Sequence, residues 1–147
     1  MDSPRSIREI ENWHAHIYYD GTAQRTAMMA LRERIAERFA VQLVEPIETA
    51  MGMHPHPMLV VAFNPDQFAT LVPWLMLNRS GLSILLHPNT DNPLHDHVVQ
   101  SAWIGPELRM KPNEELPEER RQVTSLKAVG RSQPPVKINT SPTLAEA

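Results

Sequence analysis

The stretch WHAHIYY, residues 13–19, alternates with a period of two, and no other feature constrains the fold as tightly. Successive side chains of an extended strand point to opposite faces. Ala15, Ile17 and Tyr19 therefore share one face, and His14, His16 and Tyr18 share the other. Asp20 and Gly21 end the strand.

The segments that follow complete the pattern. Thr22 is placed to cap a helix over residues 23–39, where Met28, Leu31, Ile35 and Phe39 recur near helical spacing. VQLVEPIE, residues 41–48, reads as a short strand kept to an edge or bulge by Pro46, which cannot donate to a ladder. MLVVAF, residues 58–63, is an apolar strand. Asn64 and Pro65 mark a helix start, with Gln67 placed to reach back to the cap. Phe68, Leu71, Val72 and Leu75 form the buried stripe of that helix, and Gly81 suits the position beyond its end. LSILLHP, residues 82–88, puts Ser83, Leu85 and His87 opposite Leu82, Ile84 and Leu86. The order strand, helix, strand, strand, helix, strand predicts an α+β protein with a ferredoxin-like βαββαβ sandwich: an antiparallel sheet with two helices on one face. The second face must then be covered by a tail, a partner subunit or a ligand.

Residues 89–105 read as a loop and one further strand. Beyond Pro106 prolines recur and periodicity disappears, which predicts a proline-rich arm or disordered tail over residues 106–147, with KAVGR able to dock locally. The division is a lead over residues 1–12, a folded domain over 13–105, and the arm.

The totals exclude several classes. A chain of 147 residues with a net charge of −3 and no dominant Lys/Arg cluster lacks the electrostatic footprint of a nucleic-acid or anionic-membrane binder. LVVAF and LVPWLML fall short of a membrane span, and the first residues lack a secretion-signal pattern, so a soluble cytoplasmic protein is expected. With no cysteine, any metal must be held by imidazole and oxygen ligands.

The seven histidines fall mainly into three groups near strand ends. His14 and His16 project from one face, close enough to ligate one metal, although two half-exposed strand histidines satisfy the same pattern. In HPHPM, His54 and His56 both precede prolines that restrict their backbones. This can aim an imidazole or merely stiffen the entry to a strand. His87, at a strand end, is followed by His95, Asp96 and His97, and two imidazoles with a carboxylate are the ligands of many non-haem iron sites. HDH also occurs on ordinary surface loops.

HAHIYYD, GMHPHPM leading into a strand, VPWLMLNRSGLSILLHPNT, and DH followed by AWIG together resemble the DOPA 4,5-dioxygenase family of small aromatic ring-opening dioxygenases, over residues 13–105. The resemblance implies a ferredoxin-like homodimer with non-haem iron(II) that opens a catechol such as DOPA beside the diol, with dioxygen as co-substrate, to a muconic semialdehyde-type product. On that resemblance His16, His54 and His87 are the expected metal ligands, with His97 the next candidate. His14, His97 and Asp96 are the expected acid–base or orienting groups, with Asp96 alternatively a carboxylate ligand, and Tyr18, Arg79 and Trp103 are the expected substrate contacts. His56 is peculiar to this chain and is expected to point away or line the rim. Met53 replaces a usual proline, and Gln100 stands where the family pattern has a further histidine. Two other readings stay open: a non-catalytic metal- or small-molecule-binding dimer on the same scaffold, and a cofactor-free dimer whose histidines are acid–base residues.

Overall fold

The chain enters its sheet through β1 (Asn12–Tyr18), crosses one face as α1 (Gly21–Arg38), and returns through the two-residue β2 (Gln42–Leu43) and β3 (Met58–Phe63). It then crosses the same face again as α2 (Phe68–Asn78) and completes the second half with β4 (Ile84–Asn89), followed by α3 (Pro93–Val98) and β5 (Ala102–Ile104). The computed structural model describes residues 2–111 and 136–145. Strand order is β2-β3-β1-β4-β5, with antiparallel pairing at every step. The first four strands and two helices are the expected ferredoxin-like α+β arrangement, and β5 extends the sheet beyond β4.

Alternation along the strands sorts the side chains as expected. Ala15, Ile17 and Tyr19 of the β1 segment, Leu59, Val61 and Phe63 of β3, and Ile84 and Leu86 of β4 bury against Met28, Leu31 and Ile35 of α1 and Leu71, Val72 and Leu75 of α2. Each such side chain taken from water contributes about 1.5–3 kcal/mol, which makes this layer the main source of stability. The opposite face carries a smaller cluster, Tyr18, Met58 and Leu85, packed by Ile47, Val60, Trp103, Leu108 and Met110. Residues between β2 and β3, together with α3 and residues 106–111, cover this second face.

Several local expectations are corrected. Asp20, not Thr22, is the N-cap of α1, and its N–H is taken by the Gln24 side chain at 2.8 Å. Gln67 accepts the Ala40 N–H at 3.3 Å and so ties the helix start to the end of α1; no side-chain bond caps Asn64. The segment at 41–48 pairs only at Gln42 and Leu43, and Ile47 makes an isolated bridge to Met58 beyond Pro46, whose nitrogen has no hydrogen to give. Residues 89–101 were expected as loop but contain α3, capped by Asn92, which accepts the His95 N–H, with Pro93 in the first turn.

The described parts of the arm lie against the domain. The Lys111 N–H donates to Met53 O at 2.9 Å. Asn139 flanks β2: its amide oxygen accepts the Leu43 N–H and its amide nitrogen donates to Leu43 O, at 2.9 and 2.7 Å. Thr140 Oγ1 donates to Phe39 O and accepts the Val41 N–H, and the Thr143 and Leu144 N–H groups meet Glu37 O. KAVGR lies outside the described residues.

Candidate metal centre

Register brings the strand histidines together. His14 on β1 stands directly across from His87 on β4, and His16 follows two residues on, on the same face. Their rings are 5.0–5.8 Å apart, and His16 Nε2 lies 2.9 Å from His87 Nε2. The turn before β3 delivers His54, whose ring stacks on His16 at 4.5 Å. One turn into α3, His97 reaches down to within 3.9 Å of the His87 ring. Five imidazoles from four segments thus converge on the second face. Their ring nitrogens form two triads that share His16: His14, His16 and His87, and His16, His54 and His97, with the nitrogens within 4.8 Å of one another in each.

The hydrogen bonds fix which nitrogen is free in two of the rings. His87 Nδ1 donates to Pro88 O at 2.9 Å, and His97 Nδ1 donates to Pro93 O at 2.7 Å, since a carbonyl can only accept, which leaves both Nε2 lone pairs free. His16 has an acceptor on each side, the Met58 thioether 3.2 Å from Nδ1 and His87 Nε2 2.9 Å from its own Nε2, so its hydrogen can sit on either nitrogen. His54 Nδ1 is held by the Tyr18 hydroxyl at 2.7 Å, which orients that ring from behind.

Burial keeps the rings neutral. His16 and His87 are 5 % and 0 % exposed, and burial, reinforced by the neighbouring imidazoles, drives His16 well below the usual histidine range and His87 down to about 2. Burial likewise lowers His14 and His54 to about 4, with His97 adding to it. His97 is also lowered by burial, against the opposing pull of Pro93 O and Asp96.

This donor set fits a metal ion. Without a metal, His16 can donate its Nε2 hydrogen to His87 across the 2.9 Å gap; with that hydrogen on Nδ1, toward Met58, both Nε2 lone pairs are turned to the same space and can share one cation. Two nitrogens each about 2.1 Å from one metal and at right angles stand about 3 Å apart. Backbone carbonyls that fix the far nitrogen are the usual outer support of histidine ligands.

Comparisons with known proteins place the chain in a family. The family model described as Dopa 4,5-dioxygenase family matches residues 13–113. The chain belongs to that family. An Amanita muscaria protein named DOPA 4,5-dioxygenase is 36 % identical over 106 residues, covering 67 % of this chain and 46 % of the relative. A Botryotinia fuckeliana protein described only as an uncharacterized 21.2 kDa protein is 36 % identical over 104 residues, covering 63 % and 57 %. The chain thus spans about half the length of these curated relatives. A crystal structure of a candidate dioxygenase from Nostoc punctiforme superposes with a TM-score of 0.70 at 45 % identity, covering 73 % of this chain and 92 % of that one.

Within the family frame, the remaining expected residues divide. Tyr18 is buried, and burial raises its phenol; it touches the site through His54, with Trp103 tilted against its far side at 5.8 Å. The trio His16, His54 and His87 is not one of the two triads; His87 groups with His14 and His54 with His97, through the shared His16. Asp96 is corrected: its two oxygens accept the Thr90 N–H at 2.8 Å and the Thr90 hydroxyl at 2.7 Å, so it clasps α3 to the end of β4 and does not hydrogen-bond His97. Arg79 is corrected as well. Its guanidinium donates to Leu82 O at 3.1 Å and packs against Gly105, whose φ of +83° favours glycine and where a β-carbon would displace the end of the Arg79 side chain. Leu82 precedes His87 by five residues, about 16 Å of extended strand, so the fork is engaged far from the imidazoles. His56 and His95 join neither triad. Gln100 is exposed, on a groove with Arg5, Ile7 and Thr90.

Sequence reasoning missed Met58, the acceptor behind His16, and an apolar recess of about 280 Å³ beside His54 and His97, lined by Ile47, Met51, Met53, Met58, Pro93 and Leu94. For Met58 the signal was present. It begins the strand that pairs with β1, directly opposite Tyr18.

Proposed function

We propose that the chain is a non-haem iron(II) dioxygenase that opens a catechol ring beside its two hydroxyls, to a muconic semialdehyde-type product. The observation that carries this reading is the convergence of neutral imidazole lone pairs on the second face, centred on the 2.9 Å approach of His16 and His87. The relative named for DOPA supports a catechol as the substrate class. His16 belongs to the ligand set in either triad. His87 completes it with His14, or His54 with His97, and the ring nitrogens left over serve the substrate. Bound iron(II) would supply the centre at which catechol and dioxygen react with each other.

The chain's own groups do the rest. Pro88 O and Pro93 O hold His87 and His97 in the tautomer that presents Nε2, and Tyr18 does the same for the orientation of His54. His14, half-buried at the edge of the cluster and neutral at physiological pH, is the group suited to accept a catechol hydroxyl proton. The apolar recess beside His54 and His97 admits a ring and gives one of its faces an apolar wall. Trp103 backs Tyr18 and shapes the floor without touching the imidazoles' free nitrogens. The protein acts as a cytoplasmic homodimer in this proposal, which light scattering of the purified chain tests directly.

Anaerobic reconstitution with iron(II), followed by air and a catechol, tests the activity. A yellow ring-opened product is expected. Stoichiometric iron binding with the catechol left intact would refute the enzyme and support a non-catalytic metal-binding dimer.

A further inference from the structure

The recess beside the histidines has a chemistry of its own. One wall is the turn through Met51 and Met53, closed by the His54 N–H donating to Met51 O at 2.9 Å; the other is Pro93 and Leu94 at the start of α3. Ile47 and Met58 form its base. Three thioethers and three aliphatic groups make a soft, polarisable lining that adapts to apolar shapes. A cavity of about 150 Å³ suffices for one benzene ring, so about 280 Å³ leaves space beyond the ring for several methylenes. Met53 lines this recess and also a second groove, shared with Leu94, that runs on past Val98 and Met110 to the polar His95 and Lys111. Its side chain therefore stands where the first space ends and the next begins.

We propose that this recess is a substituent pocket that selects catechols carrying an apolar, uncharged chain over amino-acid catechols, and that Met53 sets the length of chain it accepts. The inference rests on the catechol reading above. A catechol with its ring at the His54–His97 end projects its substituent among Met51, Met53 and Leu94. A zwitterionic ammonium and carboxylate placed there would give up part of their water against thioethers and aliphatic carbons, with no charged side chain among the described residues of the recess to pair with them. An alkyl chain gains burial with every methylene instead.

Titration calorimetry of the full chain loaded with zinc(II), which binds without redox turnover, tests this with catechol, 4-methylcatechol, 4-propylcatechol and DOPA. Affinity should rise about fourfold per added methylene until the recess is filled, with DOPA weaker than 4-propylcatechol by tenfold or more. Met53→Asp should lower the propylcatechol-to-catechol affinity ratio at least tenfold. Met53→Ala, which is gentler to the fold, should move the optimum to a longer chain. A flat series, or DOPA bound as tightly as 4-propylcatechol, overturns the substituent pocket. If the iron-loaded protein opens catechol while the series is flat, only this inference falls. Binding that grows with chain length without ring opening leaves the pocket standing and sinks the dioxygenase reading. No binding and no turnover sinks both.

Discussion

Replacing Asp96 separates two roles that HDH allows, a carboxylate at the chemistry and a carboxylate that builds the site. Asp96 is 1 % exposed, and its oxygens accept the Thr90 N–H and hydroxyl at 2.8 and 2.7 Å. Both bonds are short and charge-assisted, the class that contributes about 1.5–3 kcal/mol each. Asp96→Ala deletes both acceptors beneath Thr90 and opens a small void, so a loss of about 3 kcal/mol is expected, a large share of the 5–15 kcal/mol typical of a domain. The corresponding fall in Tm is about 10 °C. Asp96→Asn keeps one acceptor for the Thr90 N–H and should cost about 1 kcal/mol. Urea unfolding of the metal-free protein, followed by tryptophan fluorescence, gives both values. Because the clasp holds α3 and therefore His97 over His87, metal affinity should fall in the same order, Ala more than Asn. An Asp96→Ala protein within about 0.5 kcal/mol of wild type would refute the clasp. Intact stability and metal affinity with lost turnover would return Asp96 to the chemistry.

Three further outcomes are expected. For the chelated protein, the sign of the acid response follows from the lowered histidines. Above pH 6.5 folded and unfolded rings are both neutral and contribute nothing, whereas between pH 6.5 and about 4 the unfolded chain takes up protons that His14 and His54 refuse, so stability falls with pH by about 1.4 kcal/mol per unit for each ring. A urea midpoint that stays constant from pH 7 to pH 5 would contradict this. Tyr18→Phe removes the group that orients His54 and should weaken metal binding about tenfold with little change in fold, read by competition with a chromophoric chelator. Gly105→Ala strains a φ of +83° and pushes the Arg79 guanidinium aside, and should destabilise by about 1–2 kcal/mol, chiefly through the backbone, while leaving metal affinity unchanged.

Strand periodicity carried most of the fold. The period of two sets His14 and His16 on one face of WHAHIYY and His87 with Ser83 and Leu85 on one face of LSILLHP, because a pleated strand offers its side chains only two directions; the register of β1 with β4 is what puts the two faces on the same side of the sheet. Helical ground was harder to read. Asn92–Pro93 repeats the start signal of Asn64–Pro65, yet α3 has only six residues and little apolar periodicity to follow it. Once HDH is helical, its three side chains leave about 100° apart: His95 to solvent, Asp96 to Thr90, His97 to the cluster. Gln67 and Arg79 went astray for a shared reason. Each has a plausible local partner, but its actual partner is set by the packing of helix ends, at Ala40 and at Leu82 and Gly105. The recess joins residues 47–58 to residues 93 and 94 across the sheet face, and no local pattern encodes such a meeting.

Asn139 bears on a hazard common to open sheets. A strand at the margin of a sheet presents unpaired amides and carbonyls that recruit strands from other molecules. At Leu43 both groups are already occupied, by one side-chain amide that imitates a neighbouring peptide unit yet cannot propagate the ladder. The sheet is finished there by a decoy strand one residue long, and the same protein without it would offer a sticky margin to its own copies.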